Sequence, residues 1–250
     1  MIIKIFKKTI PNFILRYREK NAIKKIRKKF SKMRQYETFR EIYLKKLWSP
    51  ESIKSDHKFY SGVGSYFPEF VDKYIDEIEK FLLSLPKKPN VVDLGCGDFV
   101  IGSKIRKSCN SYIAVDIFDE LINYNKKKYK DLNVDFRVLD ITCDELPVGD
   151  VCFVRQVLQH LSNELILNFV KAIKSKYKYL IITEHFPSSK NFVANLDKPT
   201  GPDIRLLDKS AVILTEPPFN LKVVKDTDIC ETHSDSIEGV LKTKLLQLFI

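Results

Sequence analysis

The stretch that most constrains this 250-residue chain is V-V-D-L-G-C-G-D-F, which runs from Val91 to Phe99. Its short apolar run predicts a buried strand, and the glycines that follow predict a sharp turn into a helix. Gly95 and Gly97 fit the dinucleotide-binding pattern G-x-G-x-x-G, but Val100 stands where the third glycine belongs. Three interpretations compete: a nicotinamide site, a site for another nucleoside cofactor, and a purely structural turn.

Beyond this turn, short apolar runs alternate with helical patterns. The predicted strands of this region are Val91–Leu94, Ser111–Val115, Val134–Leu139, Val151–Val154 and Tyr179–Thr183. Such alternation is typical of βαβ units, so we expect an α/β fold with a parallel sheet. The tail differs, because Leu221–Val224 and Val240–Phe249 resemble two late strands with little helix between them. An antiparallel hairpin at the sheet edge would fit this pattern.

The chain divides by composition near residue 90. Residues 1–89 are expected to hold a basic arm, amphipathic helices and a loop, and residues 90–250 the α/β domain. From Asn12 to Trp48 there is no Gly or Pro, and apolar residues recur every three or four positions, as helices require. The loop S-G-V-G-S, Ser61–Ser65, is either a plain connection or a lid over a ligand, because its two glycines permit hinge motion.

The positive charge is concentrated at the N-terminus. Residues 1–30 hold eleven Lys and Arg residues and one acid, so they carry ten of the eleven net charges. Three interpretations of this arm compete: a solvated helix face, a contact with an anionic membrane, and a contact with RNA. The near-neutral body favours a peripheral arm, so nucleic acid is not an expected partner. We expect a cytoplasmic location, with the arm at the inner face of the cell membrane as the extension of that hypothesis.

Cysteine usage agrees with a cytosolic chain. None of the five cysteines forms a C-x-x-C pair, and no His lies at zinc-ligand spacing from them, so no metal site is expected. Several of these cysteines lie in apolar, strand-like runs. Reduced, buried thiols are therefore the favoured interpretation.

Three acids at predicted strand ends narrow the choice of cofactor. Asp93 lies two residues before Gly95, where it would repel a pyrophosphate and attract a positive centre or an amino group. Asp116 follows at the spacing at which an acid holds a ribose diol. Asp140 can accept the adenine amino group, and Ile141 can pack on the ring. S-adenosylmethionine has the positive centre, the amino group and the nucleoside, and it has no phosphate.

With these residues in place, the order of motifs resembles the class I S-adenosylmethionine-dependent methyltransferases over about Trp48 to Leu248. The motifs are D-L-G-C-G-D-F, Y-I-A-V-D-I, F-R-V-L-D-I-T, D-V-C-F-V-R-Q-V-L-Q-H-L-S and Y-L-I-I-T-E-H-F-P. More narrowly, they resemble a bacterial branch of small-molecule and surface-glycan methyltransferases with an N-terminal helical segment. The resemblance implies a Rossmann-like, seven-stranded, mostly parallel sheet with an antiparallel last strand. The implied cofactor contacts are Asp93, Gly95, Cys96, Gly97, Asp116, Ile117, Asp140, Ile141, Arg155 and Gln156.

One departure from that branch concerns the catalytic residues. Its fourth strand often ends in Arg-Asp, whereas this chain has Arg155-Gln156, and an amide cannot act as a carboxylate base. The remaining candidates for moving a proton are His160 after the fourth strand, and His185 with Glu184 after the fifth. Glu184 is expected either to orient a histidine or to bind an amine.

We therefore expect methyl transfer to a small polar acceptor. The favoured acceptor is a hydroxyl of a sugar or surface-glycan precursor, of capsule or lipopolysaccharide, bound between His160 and the Glu184-His185 pair. One alternative is an RNA or protein methyltransferase, although the D/N-P-P-Y-type turn of amine methylation is missing after the fourth strand. Another alternative is a non-catalytic scaffold that binds the cofactor. The amide of Gln156, in place of a carboxylate, is compatible with this alternative.

Overall fold

The computed structural model describes residues 12–50, 57–234 and 237–249. Its strands are β1 Asn90–Leu94, β2 Ser111–Asp116, β3 Asp135–Val138, β4 Val151–Arg155, β5 Tyr179–Phe186, β6 Val223–Ser234 and β7 Ile237–Leu248. Its α-helices are α1 Asn12–Phe30, α2 Gln35–Leu44, α3 Pro68–Ser84, α4 Val100–Ile105, α5 Asp119–Lys128 and α6 Asn163–Ala172. The first eleven residues of the predicted basic arm lie outside the described residues.

The strands form one sheet in the order β3-β2-β1-β4-β5-β7-β6. The first five strands pair in parallel, whereas β7 pairs antiparallel with β5 and β6 pairs antiparallel with β7. This arrangement confirms the predicted α/β class, with its seven strands and its antiparallel late hairpin. The predicted boundary between residues 89 and 90 falls immediately before β1, and the division into two units stays a prediction.

The late strands are longer than the sequence indicated. The hairpin was expected from Leu221–Val224 and Val240–Phe249, but each of its strands spans twelve residues. The fifth strand was expected to end at Thr183, yet it continues to Phe186, which pairs with Val240. The extra length is polar, since an edge hairpin has one solvated face and its backbone pairing does not depend on apolar side chains.

Two apolar layers cover the sheet, because successive strand residues point to opposite faces. Val92 of β1 belongs to the core under α6, and Val91 belongs to the core under α3 and α5. Tyr74, Ile78 and Leu82 supply the buried stripe of α3 at helical spacing. None of the helices in the described ranges has the length and apolar character needed to cross a bilayer.

The fold leaves a crevice at the carboxyl ends of the parallel strands. The strand β1 lies between β2 and β4, so the connections on its two sides run in opposite directions. Open α/β sheets bind their ligands at this switch point. The helix α2 and the lid loop, Ser61–Ser65, lie over the same crevice and close it into a cavity.

Candidate active site

A cavity of about 350 Å³ lies over the ends of β1, β2, β4 and β5. All ten predicted cofactor residues line it, from Asp93 in β1 to Gln156 after β4. His160 and His185 line it as well, whereas Glu184 is not among its lining residues. The structure therefore gathers twelve of the thirteen predicted site residues around one space.

The glycine turn needs its glycines for two different reasons. Gly95 and Gly97 have φ angles of 82° and 56°, which are strained for residues with side chains. An added Cβ at Gly95 would also lie 2.4 Å from Cγ2 of Val157, inside any allowed contact. The backbone N–H groups of Gly95 and Cys96 both donate to the carbonyl of Val115, at 2.8 Å. The turn is thus held tightly against β2.

Two buried acids face the cavity beside this turn. Asp93 accepts a hydrogen bond from the Tyr112 hydroxyl at 3.0 Å. Asp116 accepts hydrogen bonds from the backbone N–H groups of Gly97 and Phe118, each at 3.1 Å. Burial raises the pKa of Asp93 to about 7 and that of Asp116 to about 6. A cationic ligand would offset this desolvation, whereas a pyrophosphate would add to it, so the pocket suits S-adenosylmethionine better than a dinucleotide.

The third acid is held by the N-terminal helix. Asp140 accepts hydrogen bonds from the backbone N–H and hydroxyl of Thr142, at 2.9 and 2.7 Å. The side-chain amide of Gln35, at the start of α2, donates to the other carboxylate oxygen at 3.0 Å. Ile141 is buried against the apolar core and also lines the cavity. The predicted adenine end is therefore closed by α2.

The lid loop is tied down at two points. The backbone N–H of Ser61 donates to the Asp98 carboxylate at 3.2 Å, and Asp98 returns a backbone N–H to the Ser61 hydroxyl at 2.8 Å. At the other end, Arg155 donates to the carbonyl of Gly64 at 2.7 Å. Asp98 lies directly after the second glycine, and no motif in the sequence marks it as a loop contact. The loop covers the cavity, as a lid would; whether it moves stays a prediction.

The two residues at the end of β4 differ in what they contact. The guanidinium of Arg155 stacks over Tyr74 with 4.7 Å to the ring centroid. With its hydrogen bond to Gly64, this contact holds Arg155 between α3 and the lid loop. Gln156 has φ 58°, and its backbone N–H donates to the carbonyl of Thr183 at 2.7 Å. Its side-chain nitrogen is buried without a hydrogen-bond partner in the described chain. That amide nitrogen therefore keeps unused hydrogen-bond donors at the cavity.

Both candidate histidines are buried and neutral. Burial, together with the nearby charge of Lys198, lowers the pKa of His160 to about 3. Burial, together with Arg155, lowers the pKa of His185 to about 4. The His160 ring lies against Trp48, with 4.7 Å between the ring centroids. A neutral imidazole has a lone pair, so each ring can accept a hydrogen bond at neutral pH.

Glu184 is the predicted site residue that does not line the cavity. It lies inside β5, so its side chain points to the opposite face of the sheet from His185. Its carboxylate accepts the backbone N–H groups of Leu158 and Gln159, at 3.0 and 3.1 Å. Burial raises its pKa to about 8. Glu184 therefore positions the short turn that carries His160, and it has no hydrogen bond to either histidine among the described residues.

Several cavity residues had no signal in the sequence. Phe39 and Tyr43 of α2 read only as helical core positions, and Trp48 as a residue near the helix end. Asp203 comes from the long segment between β5 and β6, where no motif marks it. Gln159 lies within the fourth motif without an assigned role. All five line the cavity.

Comparison with known proteins agrees with this geometry. Residues 92–180 match a family model described as a methyltransferase domain. The N-methyltransferase NodS from Bradyrhizobium japonicum, solved with S-adenosyl-L-homocysteine, is 14% identical with a TM-score of 0.54, covering 79% of this chain and 91% of that one. A SAM-dependent methyltransferase from Leishmania major is 17% identical with a TM-score of 0.52, covering 74% and 76%. DhpI, solved as its complex with S-adenosyl-L-homocysteine, is 15% identical with a TM-score of 0.51, covering 74% of this chain and 89% of that one. No curated protein sequence matches the chain.

At such low sequence identities, the likeness to the solved structures shows the fold alone. The domain match adds the chemistry, and it runs from within β1 through β4 to the start of β5. Together they define the class of protein: an S-adenosylmethionine-dependent methyltransferase with the class I fold. S-adenosylmethionine is its cofactor, and Asp93, Asp116 and the glycine turn are the residues that fit it.

Proposed function

We propose that this enzyme methylates a hydroxyl group of a small polar acceptor, a sugar or surface-glycan precursor of the capsule or lipopolysaccharide kind. The observation that carries the proposal is the pair of buried, neutral histidines in the same closed cavity as the acids suited to the cofactor. A hydroxyl must lose its proton during methyl transfer, and a neutral imidazole is the usual group that takes it.

The chemistry divides between the cofactor and the protein. When bound, S-adenosylmethionine supplies an activated methyl group on a sulfonium, which becomes a neutral thioether as the new oxygen–carbon bond forms. The protein has to orient the acceptor oxygen and receive its proton. Since Gln156 cannot take a proton, this role belongs to a histidine, which passes the proton on to solvent after product release.

A second group of cavity residues supports a hydroxyl-rich acceptor. Asp203 is held by Arg27, whose guanidinium contacts one carboxylate oxygen at 2.8 Å. Its other oxygen is buried and has no hydrogen-bond partner in the described chain, with Lys198 at 3.6 Å as an ion-pair contact. The Trp48 ring lies nearby, since its indole N–H donates to the carbonyl of Pro202 at 3.0 Å. A flat aromatic surface beside a carboxylate suits a ring that carries hydroxyl groups.

The first test is binding, followed by a screen for the acceptor. Calorimetry should show S-adenosylmethionine binding that Asp116→Ala severely weakens. Purified enzyme is then incubated with nucleotide sugars, glycan fragments, amines, RNA and peptides, and methylated products are identified by mass spectrometry. An O-methylated sugar is expected. Methylation of amines, RNA or peptides alone would overturn the proposed sugar hydroxyl acceptor. Tight binding of S-adenosylmethionine without turnover on any acceptor class would favour a non-catalytic scaffold.

A matched pair of variants tests the histidine requirement. His185→Ala should strongly lower turnover while leaving cofactor binding intact, because the ring lines the cavity but is not among the predicted cofactor contacts. His233→Ala is the control, since His233 is exposed on β6 and should not matter. Full activity in a variant that lacks both His160 and His185 would show that neither histidine moves the proton.

We also propose that the basic N-terminal segment makes peripheral contact with anionic membranes. Lys24, Lys25 and Lys28 of α1 are exposed, whereas Arg27 is engaged with Asp203. Replacing the three lysines with Glu should remove binding to vesicles that contain anionic lipid while preserving activity on a soluble acceptor. Cosedimentation with anionic and neutral vesicles measures this, and undiminished binding of the variant contradicts the proposal for α1.

A further inference from the structure

The side chain of Gln159 lies between the two histidines. Its carbonyl oxygen is 3.2 Å from Nδ1 of His185 and 3.3 Å from the backbone nitrogen of the same residue. Its amide nitrogen is 3.5 Å from Nε2 of His160. Gln159 is only 4% exposed, so water does not compete for these contacts. One amide therefore contacts a ring nitrogen of each histidine with chemically different ends.

The backbone of β5 determines which end of the amide faces His185. A backbone N–H can only donate, so the group opposite the His185 nitrogen must be the carbonyl oxygen of Gln159. With the amide reversed, two donors would face each other in a buried place. The same oxygen faces Nδ1 of His185, and because it can only accept, Nδ1 must carry the ring proton. The lone pair of neutral His185 is then on Nε2.

The other end of the amide has the opposite effect. The Gln159 nitrogen can only donate, so Nε2 of His160 must be the accepting nitrogen of that ring, in a contact at the long end of hydrogen-bond distances. The lone pair of His160 is thereby occupied inside the protein. The lone pair of His185 is left free, since its Nε2 is buried without a partner in the described chain and the residue lines the cavity.

We propose that Gln159 is a positioning residue that selects His185, and not His160, as the general base. The selection works through the tautomers: the amide oxygen leaves Nε2 of His185 free, and the amide nitrogen occupies Nε2 of His160. The acceptor hydroxyl gives its proton to Nε2 of His185 while its oxygen gains the methyl group and the sulfonium becomes a thioether. This last step rests on the proposed function, whereas the tautomer assignment does not.

Two substitutions of Gln159 distinguish the effect of the amide oxygen from the effect of the amide nitrogen. Gln159→Glu keeps an oxygen that accepts from the His185 backbone N–H and from Nδ1, so the His185 tautomer should be retained. Gln159→Leu removes both ends at similar volume and leaves the ring free to redistribute its proton. Circular dichroism and S-adenosylmethionine binding check that each variant folds. If Gln159→Leu does not fold, the wild type and Gln159→Glu still test the assignment.

The deciding measurement is nitrogen NMR of the full chain with ring-labelled histidine at neutral pH. Signals are assigned with His160→Ala and His185→Ala, and long-range nitrogen–proton correlations show which nitrogen carries the proton. We expect Nδ1–H for His185 in the wild type and in Gln159→Glu, with a substantial Nε2–H population in Gln159→Leu. A wild-type His185 protonated on Nε2, or an unchanged tautomer in Gln159→Leu, overturns the inference.

Activity gives a second and separable result. With any acceptor found in the screen, His185→Ala should lose at least a hundredfold in kcat, the usual contribution of a general base, and His160→Ala should lose less. Gln159→Leu should lower kcat, and Gln159→Glu should restore most of it. The reverse order of the two histidine variants overturns the selection. If only amines are methylated while the tautomers are as assigned, the proposed hydroxyl acceptor fails and the tautomer assignment stands.

Discussion

The replacement Asp93→Asn should stabilise the cofactor-free enzyme and weaken cofactor binding at the same time. Asp93 is buried, and it accepts one hydrogen bond, from the Tyr112 hydroxyl. Burial raises its pKa from 3.8 to about 7. Asn keeps an oxygen that can accept from Tyr112 but has no charge to desolvate. A residue retained at a cost in stability is typical of a binding site.

The size of the effect follows from the raised pKa. A carboxyl with a raised pKa holds its proton more tightly in the folded state, so the free energy of unfolding falls as pH rises from near 4 to near 7. The difference of about three pKa units, at about 1.4 kcal/mol each, amounts to about 4 kcal/mol. Asp93→Asn removes this loss. Its stability advantage should therefore be absent in acid, grow through this range, and reach at most about 4 kcal/mol above pH 7.

Urea unfolding without cofactor, at about pH 5 and about pH 8, measures the stability half of the prediction. Calorimetry measures the binding half. Losing a charged partner for the sulfonium or amino group should weaken affinity about ten- to a hundredfold, from roughly 1.5–3 kcal/mol for a hydrogen bond to a charged group. The exposed carboxylate of Asp131 supplies the control, Asp131→Asn, which should change neither quantity. An Asp93→Asn enzyme that is less stable at about pH 8, or that binds the cofactor normally, refutes the reasoning.

Three further outcomes follow from the same cavity. Gly95→Ala should lower stability by about 2–4 kcal/mol and abolish cofactor binding, because φ is 82° and the added Cβ would lie 2.4 Å from a methyl of Val157. Gly201→Ala, whose Cβ would keep at least 3.4 Å from its neighbours, is the matched control, and equal losses in the two would contradict the steric argument. Glu184→Ala should lower the free energy of unfolding by about 2–4 kcal/mol in urea titrations, since it leaves two buried backbone N–H groups without an acceptor; an unchanged midpoint would count against its structural role. Cofactor affinity measured by calorimetry should rise with pH between about 5 and 8, because Asp93 and Asp116, with pKa values raised to about 7 and about 6, gain over this range the negative charge that attracts a cationic cofactor; a pH-independent affinity would show that neither charge contributes to binding.

The local chemistry of the sequence was sufficient to place the candidate cofactor residues at one edge of the sheet. A buried strand, a glycine turn and acids at strand ends are short-range features, because each depends on a few consecutive residues. Parallel strands in a βαβ order then bring those ends to one edge of the sheet, which is why Asp93, Asp116 and Asp140 could be placed together before any coordinates. The domain match over residues 92–180 includes all three positions.

The acceptor half was different, because it depends on pairing and packing between distant parts of the chain. The pattern placed the end of the fifth strand at Thr183, but its pairing with β7 extends it through Glu184 and His185. In an extended strand neighbouring side chains point to opposite faces, so this pairing sends Glu184 to the backbone of a turn and His185 to the cavity. The aromatic wall of α2 likewise reaches the site only through tertiary packing.

The sequence by itself determined the α/β class, the cofactor and the common location of the three acids, because these follow from local patterns and the regular geometry of parallel strands. Only the tertiary structure decided which polar residues face the acceptor. Gln159 illustrates the reason: its chemistry is that of any buried amide until β5 brings a backbone N–H and the His185 ring to its oxygen, with the His160 ring at its nitrogen. Those contacts join residues up to 26 positions apart, and no spacing in the sequence records them.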